Sequence, residues 1–263
     1  MYSVKNPFFR ALPDFVRRQL ASSISLIELP RGAVIQSLDG DPRIYFPATV
    51  VFRISAHIQN VPRTFMRFAG GNLAVGLGKV LGADALVYQA KVVGGGYAYV
   101  IPENQLLRLF SSEHSVGEWQ RQAALSASEM ALIAGACAGV HTTSQRLARL
   151  LLQAGDAFGV GRPITLTQAE LAHLLGVTRE SIVILLKQWC RAGLLTHRRG
   201  QIAIEARERV FDMSCQCYAA AQELEARALQ RWAGINWHEI FEPELRDARA
   251  NGAGAYPAIR RVE

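Results

Sequence analysis

The rhythm of apolar and polar positions changes three times along the chain. Phe8, Phe9, Leu12, Phe15, Val16 and Leu20 fall near helical spacing and predict a short helix at the start. From Ile24 the texture breaks into short apolar runs separated by Gly, Pro and Asp. These runs are Leu26–Leu29, Ala33–Ile35, Ile44–Phe46, Val50–Ala56, Phe65–Phe68, Leu86–Val93 and Tyr97–Ile101. Turn chemistry at intervals of roughly 8–12 residues predicts a compact antiparallel barrel or sandwich.

After Pro102 the pattern becomes helical, beginning with a short helix over Glu103–Phe110. From Ser115 a heptad pattern takes over. Val116, Ala123, Met130 and Cys137 stand seven apart, and so do Trp119, Ser126, Ile133 and Val140. A proline-free seam of about four heptads predicts a long helix that meets another helix, most simply that of a second subunit. A further helix from Thr143 through Ala154 carries Leu147, Leu150 and Leu151, and Gly159–Pro163 then breaks the chain.

Residues 164–204 hold the most specific signal. Thr167-Gln168-Ala169-Glu170 reads as a capping box opening a short amphipathic helix with Leu171, Leu174 and Leu175 on one side. Gly176-Val177-Thr178 supplies a turn, with a glycine free to adopt a left-handed conformation and a threonine able to cap the next helix. That helix, Arg179 to about Ala192, would bury Ile182, Leu185, Leu186 and Trp189. Helix, glycine turn and helix form a helix-turn-helix, whose second helix enters the DNA major groove. Leu195-Thr196-His197 and Ile202-Ala203-Ile204, flanking Arg198-Arg199-Gly200-Gln201, predict a two-stranded wing with a basic tip.

Charge agrees with an anionic partner. The 263 residues carry 29 Lys and Arg against 22 Asp and Glu, a net charge of +7. Residues 167–204 hold five basic and two acidic groups, and the first 110 residues hold twelve and six, which could help wrap bent DNA onto the flank. Half the chain is hydrophobic, which excludes wholesale disorder. Four scattered cysteines do not make a disulfide framework, and the start lacks the apolar core of a signal peptide. A cytoplasmic protein without a membrane span is expected.

Ile164–Ile204 resembles the winged helix of the Crp/Fnr superfamily of bacterial transcription regulators. His141–Leu151 is similar to that family's helix between dimer helix and DNA-binding domain. Ala33–Pro47, with Gly32, Gly40-Asp41 and Tyr45-Phe46-Pro47, resembles its β-roll. The likeness extends over about residues 7–232. It implies an α+β homodimer with an N-terminal antiparallel, jelly-roll-like β-roll, a long dimerisation helix and a C-terminal winged helix-turn-helix. The corresponding boundaries are 1–112 for the sensor, 113–141 for the dimer helix, 142–232 for the DNA-binding domain and its trailing helix, and 233–263 for a mobile tail.

By the resemblance, the start of the second helix reads bases through Arg179, Glu180, Ser181 and Ile184. Arg179 suits guanine O6 and N7, and Glu180 suits cytosine N4. Ile184 stands where many family members carry a second arginine, and it suits a thymine methyl. Thr165, Thr167, Thr178, Lys187, Arg198 and Arg199 are the expected backbone contacts. Val116, Trp119, Ala123, Met130, Ile133, Cys137 and Val140 are the expected dimer contacts.

The family's cyclic-nucleotide binders begin their ligand cassette with Gly-Glu-Leu and close it with Arg-Ser. Here Gly71-Asn72-Leu73 replaces the first, and Ala83-Asp84 falls at the second. An aspartate where a phosphate would sit adds repulsion, so control by cyclic AMP or GMP is not expected. Gly78-Lys79 lacks the spacing of a phosphate loop. The first cysteine is Cys137, which excludes an N-terminal iron–sulfur cluster. Cys215-x-Cys217 falls in a helix predicted over Ala206–Trp232, where two residues differ by about 200° and point apart. No metal or cofactor is therefore expected, although a redox role for Cys137, Cys215 or Cys217 stays open.

These features predict a sequence-specific homodimeric DNA-binding regulator on a near-palindromic double-stranded operator, with RNA polymerase a partner if it activates. The effector, if any, is unspecified. One alternative is a constitutive or partner-controlled DNA binder whose β-roll is only a scaffold. The other is a protein-interaction adaptor. The absence of a nucleophile elbow, phosphate loop and metal pair argues against an enzyme.

Overall fold

The computed structural model describes residues 6, 9, 17, 19–36, 43–56, 64–71, 73–77, 88–111, 116–159 and 161–233. Seven strands come first: β1 Ser25–Leu29, β2 Val34–Gln36, β3 Arg43–Pro47, β4 Val51–Ala56, β5 Thr64–Ala69, β6 Tyr88–Gly94 and β7 Gly96–Pro102. They pair antiparallel in two sheets, β1-β7-β3 and β2-β6-β4-β5. The chain crosses from one sheet to the other between β6 and β7, at Gly95. Tyr45, Val50, Phe52, Ala69, Val75, Ala90, Val92, Ala98 and Val100 form the core of this unit. Of the N-terminal helix, Phe9, Arg17, Gln19 and Leu20 are described and helical. Phe9 packs edge-on against Phe46 and stacks on Tyr99, so it covers the outer face of the first sheet. The buried Asn6 amide anchors this end by donating to the Leu73 carbonyl at 2.8 Å.

Helices α1 Glu103–Ser111, α2 Val116–Val140 and α3 Thr143–Phe158 follow. Thr142 caps α3 in a capping box with Gln145. Leu147, Leu150, Leu151 and Leu152 are all fully buried, because α3 is covered on two sides. Val51, Phe68 and Val93 of the β-roll meet it on one, and Leu171, Leu175, Ile182 and Trp189 belong to the same core. Gly70 allows the close approach, since a Cβ there would overlap the carbonyl oxygen of Ala157. One apolar cluster thus joins the β-roll, α3 and the C-terminal unit. Truncating one of these leucines to alanine costs about 2–5 kcal/mol.

Helices α4 Gln168–Leu175 and α5 Arg179–Arg191, strands β8 Leu195–Arg198 and β9 Gln201–Ile204, and helices α6 Arg207–Asp212 and α7 Cys217–Ala233 complete the described chain. Asp156 on α3 holds the last two helices. It accepts from Arg207, from the Tyr218 hydroxyl at 2.8 Å and from the Gln222 amide at 2.7 Å. Burial and then the Asp156 carboxylate push the Tyr218 hydroxyl up to about 12. Among the described residues, no helix is long and apolar enough to cross a membrane.

Two expectations need correction. The single helix over Ala206–Trp232 is two helices, interrupted at Met213–Gln216. The Ser214 hydroxyl donates to the Phe211 carbonyl at 2.8 Å, a local bond that competes with helix propagation. The predicted seam on α2 also faces differently. Cys137 is fully buried within its own chain, and Met130 and Ile133 are half-buried. Val140 is 79% exposed and stays available, whereas Leu132, outside the predicted seam, is 74% exposed. Packing of α2 on α7 selects this rotation. Val116, Trp119 and Ala123 lie within α2, but their side chains are outside the described ones.

Candidate nucleic-acid interface

The helix-turn-helix is held by its caps. The Thr167 hydroxyl accepts from the Glu170 N–H at 3.1 Å, and the Glu170 carboxylate accepts from the Thr167 N–H at 2.9 Å. Gly176 ends α4 at φ 64° and ψ 38°, the left-handed conformation that glycine adopts without a Cβ penalty. Its N–H donates to the Ala172 and His173 carbonyls. Arg146 of α3 donates to the Leu175 carbonyl at 2.7 Å, which fixes the turn against α3. Thr178 caps α5 by accepting from the Ser181 N–H at 3.3 Å. Ile182, Leu186 and Trp189 are buried, as their spacing predicts, and Leu185 is half-buried.

The opposite face of α5 is open. Arg179, Glu180, Ile184, Lys187, Gln188 and Arg191 are exposed. Ile184 is 56% exposed on an otherwise polar face. Beside α5, β8 and β9 pair in register from Leu195–Ile204 to Arg198–Gln201. The hairpin closes through Arg199 at φ 50° and Gly200 at φ 75°. Two consecutive positive φ values make the turn that matches strand twist, and an arginine in the first position is uncommon. Arg198 and Arg199 are exposed at the tip.

The predicted contact residues therefore divide. Arg179, Glu180, Ile184, Lys187, Arg198 and Arg199 present solvent-facing side chains on α5 and the wing. The Ser181 hydroxyl is shared with Thr178 at 2.9 Å, so both belong first to the cap. Thr167 likewise serves α4. Thr165 faces the β-roll: its hydroxyl donates to the Val93 carbonyl at 2.6 Å, and its own carbonyl accepts from Arg31 at 2.9 Å. In this conformation Thr165 is a contact between the β-roll and the C-terminal unit. In the cassette, Gly71 and Leu73 are described and half-buried, while Asn72, Ala83 and Asp84 lie outside the described residues, as do Gly78-Lys79 and the tail from 234.

Sequence reading missed the contact between the β-roll and the capping box. Glu170 lies 3.9 Å from Arg31 and 3.8 Å from Lys91. Burial alone would raise its carboxyl. The Thr167 N–H and hydroxyl, then Lys91 and Arg31, outweigh that and hold it below the usual carboxylate range. Arg162 adds a further tie, donating to the Thr49 carbonyl at 2.7 Å. No local sequence signal marks these residues, because each pair is brought together only by the docking of the β-roll.

Residues 145–210 match the Crp-like helix-turn-helix domain. No curated protein matches the chain. Among solved structures, FixK2 of Bradyrhizobium japonicum is 17% identical, with a TM-score of 0.59 over 73% of this chain and 98% of that one. A protein of Eubacterium rectale assigned to the Crp/Fnr family is 14% identical, with a TM-score of 0.61 over 80% and 98%. The c-di-GMP-responsive global regulator CLP of Xanthomonas campestris is 17% identical, with a TM-score of 0.53 over 73% and 99%. At these identities the likeness is one of fold, and the family-specific statement rests on the domain that carries the helix-turn-helix. Residues 145–210 thus carry a Crp-like helix-turn-helix domain, and the antiparallel sheets, the long helix and the β-hairpin wing around it share the fold of these solved structures.

Proposed function

We propose that the protein is a homodimeric, sequence-specific regulator that reads a near-palindromic operator and does not require cyclic AMP. The observation that carries this reading is the exposed face of α5, where Arg179, Glu180 and Ile184 stand free of the domain core next to the basic wing. Arg179 reads guanine, Glu180 reads cytosine and Ile184 contacts a thymine methyl. Lys187, Arg198 and Arg199 fix register on phosphates. The dimer forms along the face of α2 turned away from α7. Leu125, Ser128, Leu132, Gly135 and Gly139 are exposed there at alternating spacings of three and four, the spacing of a helix–helix seam. Neither glycine has a neighbour within 4 Å of a Cβ position, so a second helix could approach closely. Independence from cyclic AMP rests on Asn72, Ala83 and Asp84, which lack the groups that hold a ribose hydroxyl and a cyclic phosphate.

The test is selection of bound sequences from a random DNA pool, at fixed salt, with and without cyclic AMP. A two-fold symmetric motif that ignores the nucleotide is expected. A motif found only with cyclic AMP would overturn the reading of the cassette, and enrichment of no sequence would favour the adaptor.

A further inference from the structure

Four potential metal-ligating side chains converge where the end of α2 meets the start of α7. Cys137 lies on the last turn of α2, and His141 follows one turn later, just past the helix end. Cys215 lies in the break between α6 and α7, and Cys217 is the first residue of α7. The Cys137 and Cys215 sulfurs are 3.5 Å apart, and the Cys217 sulfur is 3.6 Å from His141 Nδ1. One ligand atom from each residue lies within 4.8 Å of all the others.

We propose that Cys137, His141, Cys215 and Cys217 bind a single zinc ion in a tetrahedral site that fastens the end of α2 to the start of α7. Three thiolates and an imidazole are a common zinc donor set, and zinc–sulfur bonds of about 2.3 Å place ligand atoms roughly 3.8 Å apart. The observed separations fit that edge with small adjustments. An iron–sulfur cluster would spread its cysteines over several irons and does not suit four donors gathered this closely. The break at Ser214 makes the site feasible, because it frees Cys215 and Cys217 from the opposed directions of a continuous helix. All four cysteines of the chain are free, so no disulfide competes within the group.

The surroundings suit an anionic complex. Zinc with three thiolates and a neutral imidazole carries one net negative charge. Burial pushes the Cys137 and Cys217 thiols up in the metal-free chain, and the Arg149 guanidinium of α3 opposes that. Its Nε is buried and has no hydrogen-bond partner, leaving a donor for a thiolate. Cys137 and Cys215 are buried while His141 and Cys217 are half-buried, which leaves the ion a route in. Binding sends the three thiol protons to solvent. His141 separates α2 from Thr142, the cap of α3, so the ion would also brace the joint through which the dimer helix meets the DNA-binding unit.

The test uses the full chain, isolated under reducing conditions from zinc-supplemented cells, with elemental analysis and replacement by cobalt(II). One zinc per chain is expected, and cobalt should give the intense visible bands and sulfur-to-metal charge transfer of a tetrahedral thiolate site. Cys215→Ser and His141→Ala should lose the ion, whereas His141→Cys, which keeps four donors, should retain it. Three results would overturn the proposal: no stoichiometric zinc with no tetrahedral cobalt spectrum, iron with acid-labile sulfide, or metal retention in Cys215→Ser equal to that of the parent.

Discussion

Glu170 closes the capping box on Thr167 and, with the same carboxylate group, faces the Lys91 ammonium of β6 at 3.8 Å. The first turn of the helix-turn-helix is therefore built partly by the β-roll. Because the folded Glu170 carboxyl lies below its ordinary value, the folded state binds fewer protons than the unfolded chain as acid is added. The contribution is complete above about pH 4.3 and is lost as pH falls through the lower folded value. Thermal unfolding followed from pH 7 downward should show this acid-sensitive component, and Glu170→Gln should lack it.

Arg179 is exposed at the start of α5 and makes no hydrogen bond that holds the cap. Arg179→Ala should weaken binding to the selected operator by about 1–3 kcal/mol and relax the preference at one base pair per half-site. Its circular dichroism and unfolding midpoint should match those of the parent. Competition titration with single-base operator variants measures both effects.

At the wing tip, Arg199→Gly removes a side chain from a positive-φ position and a charge from the surface. Stability should hold or rise, since glycine adopts that conformation without a Cβ clash. DNA affinity should fall evenly across sequences, and the slope of log affinity against log salt should drop by about one for each wing that contacts phosphate.

The dimer face of α2 is tested by charge. Leu132→Glu should yield monomers in sedimentation velocity and lose operator binding, while leaving the monomer fold intact, because Leu132 is 74% exposed in the single chain. A variant that sediments as a dimer would place the interface elsewhere.

The helix-turn-helix and the strands were legible in the sequence because their signals are local. Thr167 with Glu170, Gly176 at the turn and the hydrophobic runs between turn residues act within a few positions. The rotation of α2 was not, since Leu125 and Leu132 compete with Met130 and Ile133 along an Ala- and Gly-rich helix. Which stripe turns inward is decided by α7, far along the chain. The cysteine cluster stayed hidden for the same reason. Cys137 and Cys215 are 78 positions apart, and the Ser214 break that aligns them contradicts an otherwise helical pattern. The spacing of Cys137 and His141, one helical turn, was the available hint. The bond from Thr165 to Val93 was hidden likewise, since nothing near Thr165 in the sequence announces it.

The most direct measurement of the central claim is hydroxyl-radical footprinting of the selected operator with the 263-residue chain. Two protected patches related by a two-fold axis, with centres about 34 Å or one helical turn apart, are predicted for paired recognition helices in successive major grooves. A single patch, or two patches without that symmetry, would contradict the account.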